Sequence, residues 1–443
     1  MKHLITLILP CLLGLPWFCS AANKPNIVLI LADDLGYECI GANGGTSYQT
    51  PCLDKLAAGG MRFEHCHSQP LCTPTRVQLM TGLYNVRNYT RFGELDRAQT
   101  TFAHRLKQAG YATGIFGKWQ LGQQPDSPRH FGFDEACLWQ HTRRPPRYAN
   151  PGLEFNGVEK DFSKGEYGPD VVHEQALAFI AKNKARPFLL YYPMILTHSP
   201  YQPTPDSANW DPKAVGENVN NDKKHFAGMV RHMDKHVGSL VAALEDHGLR
   251  KNTLVMFLGD NGTGGGMESR MGARVVMGGK GQSKAGGTHV PFIASWPVMI
   301  PAGKVSGDLV DTTDFLPTMC EAAGAPLAEG QPCDGHSLLE QLRGGKGKPR
   351  EWIYVWHPTR ERELAADQRF KLYATGKMFD YAADPLETKP VETASAEATA
   401  ARAKLQAALD RFKDARPATL KAGDGTGYQQ TAGKKQKGKR RGK

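Results

Sequence analysis

Side chains that can catalyse reactions or bind ions stand where several strand-like runs of the chain end. Taken singly, each has a structural explanation, because Asp and Asn favour turns and helix caps and a lone His is most often structural. In open α/β sheets, however, ligands bind beyond the carboxyl ends of the strands. We therefore expect these side chains to meet in one crevice. They are Asp33, Asp34, Lys118, His198, Asp260 and Asn261.

Four of these residues favour a hard cation. The carboxylates of Asp33, Asp34 and Asp260 would repel one another if they met without an ion between them. With the oxygen of Asn261 they form an all-oxygen ligand set, which suits Ca²⁺ or Mg²⁺ rather than zinc. The sequence therefore predicts a site for a hard divalent cation.

A competing interpretation places a soft-metal site at His65, Cys66, His67 and Cys72. If this segment is extended, the first three side chains alternate between opposite faces of it. In addition, no second Cys/His pair follows at the spacing typical of zinc fingers. Both features disfavour the soft-metal interpretation.

The segment that begins at Cys72 has the pattern of a short helix. Pro74 falls in its first turn, and Gly82 stands where the helix should end. Free amides and the helix dipole at the N-terminus favour an anion, which predicts a lowered pKa for the Cys72 thiol. For an isolated cysteine, the alternative is a buried structural role.

The elements that position these side chains alternate between strand and helix. Apolar, strand-like runs occur at residues 27–32, 111–117, 188–192, 253–259 and 290–296. Helical spacing occurs between them at residues 170–182 and 225–247. The alternation indicates βαβ units around a buried, largely parallel sheet, and therefore the α/β fold class.

Beyond about residue 345, the chain changes to short strand-like segments at residues 352–356, 371–373 and 378–381. They predict a small antiparallel sheet, which a helix over residues 392–412 follows. The predicted organisation is a signal peptide at residues 1–22, an N-terminal catalytic domain at 23–345, a C-terminal α+β subdomain at 346–415 and a disordered basic tail at 416–443.

Composition and charge exclude several classes of protein. With 443 residues, 40% hydrophobic and 22% charged, the chain is neither disordered nor an integral membrane bundle. The formal net charge is +11, but seven of the last ten residues are Lys or Arg, so the rest of the chain is close to neutral. We therefore expect no nucleic-acid partner.

The N-terminus has the pattern of a signal peptide. Lys2 precedes an apolar run at residues 4–15, and the small residues 20–22 follow. The run is too short to span a bilayer, so we expect a periplasmic or extracellular protein without a stable membrane anchor. Removing the signal peptide leaves seven cysteines, an odd number, so at least one should be free, modified or reactive. Cys320 and Cys333 could pair.

Residues 72–76, Cys-Thr-Pro-Thr-Arg, resemble the Cys-x-Pro-x-Arg signature of the formylglycine-dependent, arylsulfatase-like (type I) sulfatases of the alkaline phosphatase superfamily. The resemblance extends from residue 25 to about residue 390. Companion motifs include Ala32-Asp33-Asp34-Leu35-Gly36-Tyr37, Thr81-Gly82, Gly117-Lys118-Trp119, Thr197-His198-Ser199-Pro200, Gly259-Asp260-Asn261-Gly262, Gly279-Lys280-Gly281 and Gly287-Thr288-His289-Val290-Pro291. The resemblance implies an alkaline-phosphatase-like sandwich, with helices flanking a large, mostly parallel sheet, and a smaller C-terminal subdomain.

The resemblance also implies a nucleophile and a cofactor. In this family the motif cysteine, here Cys72, is oxidised by a maturation enzyme to formylglycine, whose hydrated aldehyde attacks sulfur. Ca²⁺, rather than the less favoured Mg²⁺, would be held by the modified Cys72 together with Asp33, Asp34, Asp260 and Asn261. The hydrolysis of sulfate esters would follow from these two features.

By the same resemblance, Arg76 would hold the formylglycine, and Lys118 and Lys280 would offset charge on the sulfate. His198 would touch the sulfate and is the first candidate for protonating the leaving alcohol, with Lys280 second. One residue departs from the family. The usual Lys-Trp-His motif places a base two residues after the lysine, and here that residue is Gln120, which accepts no proton at neutral pH.

The substrate is predicted from residues 139–148, which are rich in aromatic and cationic side chains. His141 and Arg143 of this stretch could contact a sugar ring and a neighbouring sulfate, although an exposed basic loop is the alternative. Together with export, this favours a sulfated polysaccharide or oligosaccharide. Two rival functions stay open: a phosphodiester or phosphonate monoester hydrolase on the same fold, and a catalytically silent protein that binds sulfated glycans, which Gln120 would favour.

Overall fold

The computed structural model describes residues 24–421, except residues 140, 217, 326, 328–329 and 393–394. The predicted signal peptide and residues 422–443 of the predicted tail lie outside this part of the chain. The strands are β1 (Asn26–Ala32), β2 (Met61–His67), β3 (Ala112–Lys118), β4 (Glu135–Trp139), β5 (Gly152–Phe155), β6 (Val158–Asp161), β7 (Phe188–Pro193), β8 (Thr253–Gly259), β9 (Glu268–Met271), β10 (Arg274–Met277), β11 (His289–Ser295), β12 (Lys304–Asp311), β13 (Ile353–Val355), β14 (Leu364–Ala366), β15 (Phe370–Tyr373) and β16 (Met378–Asp380). The α-helices are α1 (Pro51–Ala58), α2 (Cys72–Thr81), α3 (Asn85–Asn88), α4 (Phe102–Gln108), α5 (Ser127–His130), α6 (Gly168–Asn183), α7 (Phe226–Asp246), α8 (Ala285–Thr288), α9 (Phe315–Ala322), α10 (Leu339–Leu342), α11 (Ala396–Phe412) and α12 (Ala418–Lys421). Short 3-10 helices cover Tyr37–Cys39, Gly41–Asn43, Lys223–His225, Arg250–Asn252 and Thr312–Asp314.

Ten strands form the main sheet, in the order β12-β2-β11-β8-β1-β7-β3-β4-β5-β6. The central strands β8, β1, β7, β3 and β4 are parallel to one another. Strands β11, β5 and β6 run antiparallel to their neighbours. This architecture confirms the predicted α/β fold with a large, mostly parallel sheet.

The main sheet is buried on both faces, because successive residues of β1 point into two different apolar cores. Ile27, Leu29 and Leu31 pack into the core that includes α2, α4, α9 and α11. Val28 and Ile30 pack into the core that includes α1, α6 and α7. A near-continuous apolar run is what a parallel strand covered on both faces requires, and this is the pattern that made β1, β7 and β8 predictable.

Two local features place polar residues at the carboxyl end of the sheet. Helix α2 begins at Cys72 and ends before Gly82, which adopts a φ of +67°, as the sequence predicts. Gly117, with a φ of +135°, lies so close to β7 that a Cβ atom there would be 1.9 Å from the carbonyl oxygen of Pro193. Only glycine therefore lets β3 run beside β7 and deliver Lys118 at its end.

A four-stranded antiparallel sheet, in the order β13-β14-β15-β16, follows the main sheet in sequence. Helix α11 packs against it, and its apolar side chains join one of the two cores of the main sheet. The predicted C-terminal sheet and helix are confirmed, except that β14 was not predicted and α11 begins at Ala396 rather than near residue 392. Its start follows from Ser395, whose side chain accepts a hydrogen bond from the N–H of Ala398 at 3.1 Å. The boundary between residues 345 and 346 stays a prediction.

The structure tests the predictions about the cysteines and about membrane spans, but not the prediction of export. All seven cysteines in the described part of the chain are free thiols, so Cys320 and Cys333 are not paired in this structure. Among the described residues, no helix is both long enough and apolar enough to cross a membrane. The predicted export depends on residues 1–22 and stays a prediction.

Candidate active site

The adjacent ends of β1 and β8 bring the acidic residues together. The two strands are parallel neighbours in register to their last residues, so the residues that follow them emerge side by side. The backbone N–H of Asp34 donates to Oδ1 of Asp260 at 3.0 Å, and Nδ2 of Asn261 donates to Oδ1 of Asp34 at 2.8 Å. Asp33 precedes Asp34, and all four side chains are buried.

This buried group fits a hard cation. Three carboxylates and one amide supply oxygens, and Oδ1 of both Asp33 and Asn261 is buried without a hydrogen-bond partner among the described residues. Burial and repulsion by the neighbouring Asp33 raise the pKa of Asp260 to about 7, although Arg76 and Lys118 oppose this shift. A cation among these oxygens would relieve that repulsion and satisfy both unpaired atoms.

Three buried basic side chains face the three carboxylates. They pair as Lys118 with Asp33 at 2.7 Å, Arg76 with Asp260 at 2.9 Å and Lys280 with Asp34 at 2.7 Å. Burial by itself would raise the pKa of Asp33, but Lys118 and the other nearby basic groups lower it below its usual range. These charges balance, so a divalent cation would make the site electropositive and attractive to an anion.

Cys72 lies at the N-terminus of α2, one turn before Arg76. Nη1 of Arg76 donates to the backbone carbonyl of Lys118 at 3.1 Å, which fixes α2 against the end of β3. Burial raises the pKa of the Cys72 thiol, and the nearby Lys118 and Lys280 do not reverse this shift. The predicted lowering of the pKa is therefore wrong, because loss of hydration outweighs the helix N-terminus and both lysines.

His198 reaches the site on the segment that follows β7. Backbone hydrogen bonds of 2.9 and 2.8 Å join residues 196–197 to Asp33 and hold this segment beside β1. Nε2 of His198 lies 3.8 Å from Oδ2 of Asp34, whereas Nδ1 lies 3.0 Å from Nη1 of Arg147. Burial lowers the pKa of His198 to about 3, so the ring is neutral at physiological pH. Of the two ring nitrogens, Nε2 is the one on the side of the carboxylates.

Arg147 is a site residue that the sequence did not single out. Its guanidinium lies over the ring of Trp139, 4.0 Å from the ring centre, and beside His198. The available signal was the aromatic and cationic character of residues 139–148 as a whole. Sequence alone does not show which cation of that stretch turns towards the crevice.

His141 and Arg143, the two residues chosen from that stretch, are bound to protein groups instead. Nδ1 of His141 lies 2.6 Å from Oε2 of Glu154, and its Nε2 lies 2.8 Å from the carbonyl oxygen of Gln124. Arg143 pairs with Glu159 at 3.1 Å. These contacts fasten the hairpin of β5 and β6, which corrects the expectation that the two side chains face the substrate.

Gln120 follows Lys118 and the buried Trp119 with a φ of +58°, in the left-handed region that few residues other than glycine adopt. Its Oε1 is buried without a hydrogen-bond partner among the described residues. Asp34, with a φ of +62°, has a similar backbone conformation. Such strained residues cluster at active sites, where the surrounding structure enforces them.

The structure separates the residues of the competing soft-metal site. His65 and His67 lie on β2, and their rings stack on His289 with ring centres 6.5 and 5.3 Å apart. Cys66, between them, points into an apolar core. Cys72 lies in the crevice. The four side chains therefore lie in three different environments.

Residues 25–325 match the family model described as Sulfatase. This chain belongs to the sulfatase family. Human arylsulfatase A is 33% identical over 384 residues, which cover 78% of this chain and 73% of the relative. The N-acetylgalactosamine-6-sulfatase of Canis lupus familiaris is 32% identical over 371 residues, which cover 76% and 69%.

The solved structure of Ps i-CgsB has a TM-score of 0.75 and 27% identity to this sulfatase, and covers 89% of this chain and 94% of its own. Another structure of that protein is a complex with k-i-k-neocarrahexaose. The family resemblance seen in the motifs is confirmed. Membership makes the chain a sulfuric ester hydrolase of the alkaline phosphatase superfamily.

Amide substitutions test both the ion pairs of the carboxylate group and the predicted cation site. Asp33→Asn leaves the buried Lys118 unpaired, so we expect the ion-free protein to lose about 3 kcal/mol or more of unfolding free energy. Asp260→Asn leaves the buried Arg76 without the carboxylate that it contacts at 2.9 Å, so we expect a loss of the same order. In either variant, Ca²⁺ should raise the melting temperature less than the increase that we expect for the wild type.

Urea denaturation after chelation, with and without added CaCl₂, measures both effects. Asp246→Asn, at an exposed position near the end of α7, is the matched control and should behave as the wild type. An unfolding free energy unchanged in both variants, or a Ca²⁺ effect as large in both variants as in the wild type, would contradict the roles assigned to these carboxylates.

Proposed function

We propose that this sulfatase is an exported enzyme that hydrolyses sulfate esters of a polysaccharide or oligosaccharide, with a formylglycine made from Cys72 as nucleophile and bound Ca²⁺ as cofactor. One observation carries the proposal: Cys72 stands at a helix N-terminus where three buried carboxylates and three buried cations converge. This arrangement combines a position for a nucleophile with positive charge for an anionic ester.

The state of Cys72 favours its conversion over direct use of the thiol. Because burial raises its pKa, the thiol stays protonated and is a poor nucleophile at neutral pH. After oxidation by a maturation enzyme, formylglycine at this position would supply a hydrated aldehyde for attack on sulfur. Arg76, one turn further along α2, would hold that group in place.

Asp33, Asp34, Asp260 and Asn261 would hold Ca²⁺, with the modified Cys72 as a further ligand. Ca²⁺ would supply positive charge to orient the nucleophile and to neutralise a sulfate oxygen. Mg²⁺ is the poorer candidate, because it prefers one or two protein carboxylates and keeps several waters. The two unpaired buried oxygens of Asp33 and Asn261 support this ligand set.

Lys118 and Lys280 would bind the sulfate and offset the charge that develops on it. Although burial works against it, the Asp34 carboxylate raises the pKa of Lys280, which therefore keeps its proton. His198 is neutral in the ligand-free protein, and the negative charge of a bound sulfate would raise its pKa. His198 is thus the first candidate for protonating the leaving alcohol, and Lys280 the second.

A sulfated glycan is favoured as substrate by the wall of the site. Arg147, which lies over the buried ring of Trp139 and next to His198, places a cation beside the site, and this suits a sugar that carries a neighbouring sulfate. Two similar proteins agree with this class: one is an N-acetylgalactosamine-6-sulfatase, and the other has been solved with k-i-k-neocarrahexaose. The predicted signal peptide fits a large substrate outside the cell.

Two assays distinguish the proposed function from its two rivals. A phosphodiester or phosphonate monoester hydrolase would show the larger kcat/KM on a phosphate ester when matched sulfate and phosphate esters are compared. A silent binding protein would bind sulfated glycans saturably but release no sulfate, even when Cys72 is fully modified. We expect sulfate release and a preference for the sulfate ester.

Mass spectrometry tests the nucleophile directly. The tryptic peptide of residues 63–76 from protein isolated from its native host should contain formylglycine at position 72. Cys72→Ala should lower kcat by at least about 10³-fold, because the nucleophile is lost, while substrate still binds. An active preparation in which Cys72 is wholly an unmodified thiol would contradict the proposal.

Leaving-group dependence should separate His198 from Lys280. His198→Ala should lower kcat about 10²-fold or more on an alkyl sulfate, whose alcohol needs a proton. It should lower kcat far less on an aryl sulfate with an acidic phenol. Lys280→Ala should impair both substrates, because it removes charge from the sulfate site. Arg143→Ala is the control, and the reverse pattern would transfer the proton donor to Lys280.

Gln120→His should raise kcat by about 10-fold or more, because an imidazole can accept a proton that an amide cannot. Histidine also tolerates the positive φ of this position better than most residues. Steady-state sulfate release measures the effect, and Gln120→Ala, which adds no base, should give no increase. Unchanged rates in Gln120→His would show that another group already accepts this proton.

A further inference from the structure

A second group of ligand atoms is formed by other residues, between α6 and α7. Asp170 lies in the first turn of α6, and His232 and His236 lie one turn apart on α7, so their rings share one face of that helix. One ligand atom from each residue lies within 4.8 Å of the others. These three residues take no part in the site described above.

Both rings direct Nε2 at the same carboxylate oxygen. Nε2 of His232 lies 2.6 Å, and Nε2 of His236 lies 2.8 Å, from Oδ1 of Asp170. Two histidines at this spacing with a carboxylate from a second segment are typical zinc ligands. A tetrahedral ion at about 2.1 Å from each ligand needs ligand separations of about 3.4 Å, so Oδ1 of Asp170 would have to move away from both rings when an ion binds.

The surroundings of His232 point to a cation. Its Nδ1 lies 2.7 Å from Oδ2 of Asp206, so carboxylates stand at both ring nitrogens. A neutral imidazole has one N–H and one lone pair, and an ionised carboxylate only accepts, so one of these contacts is unfavourable in a neutral ring. An ion on Nε2 removes the conflict, because Nδ1–H then donates to Asp206, as in many metal-bound histidines.

Burial holds the rings but leaves the carboxylates open to solvent. The side chains of His232 and His236 are 2% and 5% exposed, whereas those of Asp170 and Asp206 are 36% and 35% exposed. His173 stacks on His236, with ring centres 4.3 Å apart and an angle of 5° between the planes. The imidazoles are therefore positioned by packing, and solvent can reach the carboxylate side of the group.

We propose that Asp170, His232 and His236 bind a divalent transition-metal ion of the zinc type, with water in the remaining position. Coordination would release any proton on the two Nε2 atoms to solvent. The ion would join α6 to α7, which pack into the same core of the main sheet, so its effect is on stability. The competing arrangement is a doubly protonated His232 between two carboxylates, without a metal.

Zinc titration of the full-length protein tests the proposal. Protein stripped of ions and then saturated with CaCl₂, to fill the active site, should bind one equivalent of ZnCl₂ by calorimetry and show a higher melting temperature. His232→Ala and His236→Ala should each weaken zinc binding at least about 10-fold, and Asp206→Asn should weaken it about 10–100-fold. His247→Ala, exposed at the end of α7, is the matched control and should bind as the wild type.

Crystals of the wild type soaked in ZnCl₂ provide a readout that needs no variant to fold. Diffraction at the zinc absorption edge should give an anomalous peak between Asp170, His232 and His236. Three outcomes would overturn the proposal: no zinc bound beside Ca²⁺ by the wild type, affinity unchanged in both histidine variants, or anomalous peaks at other positions only.

Discussion

The pairing of three buried carboxylates with three buried cations is the interaction on which the active site depends. An unpaired charge in this position would cost several kcal/mol, so each partner must arrive at a fixed place. The partners come from different elements: the ends of β1, β3 and β8, the helix α2 and the turn that carries Lys280. The register of β1 with β8 and the close approach of β3 to β7 therefore position the charged partners, in addition to packing the sheet. Because these charges balance, a divalent cation would convert the crevice into a site for an anion.

The glycine-rich turn of residues 279–287, which carries Lys280, contacts two other parts of the structure. A Cβ at Gly262 would lie 1.8 Å from the carbonyl oxygen of Gly286, so the turn packs directly against the backbone that follows Asn261. From the C-terminal sheet, Nζ of Lys371 donates to the carbonyl oxygen of Ser283 at 2.9 Å. The C-terminal sheet thus contributes to the site without supplying a residue to it.

The sequence predicted those features that depend on local patterns. Apolar runs predicted β1, β3, β7, β8 and β11, and Pro74 with Gly82 predicted the extent of α2. The motifs at the strand ends named the carboxylates, the lysines and His198, which the structure brings together. Strands β2, β4, β5, β6, β9, β10, β12 and β14 escaped prediction because they are short or mixed in polarity. In addition, β2 and β12 pair with each other although they lie far apart in sequence.

By itself, then, the sequence determined the α/β fold class, the family and the set of polar residues in the crevice, because each of these follows from hydrophobic periodicity or from a contiguous motif. The tertiary structure decided burial and long-range partners. Burial raises the pKa of Cys72, which its place at a helix N-terminus would lower. In the folded chain, His198 contacts Arg147, which is 51 residues away in the sequence, rather than His141 or Arg143. Such choices depend on which distant groups share a desolvated space, and no local pattern records that.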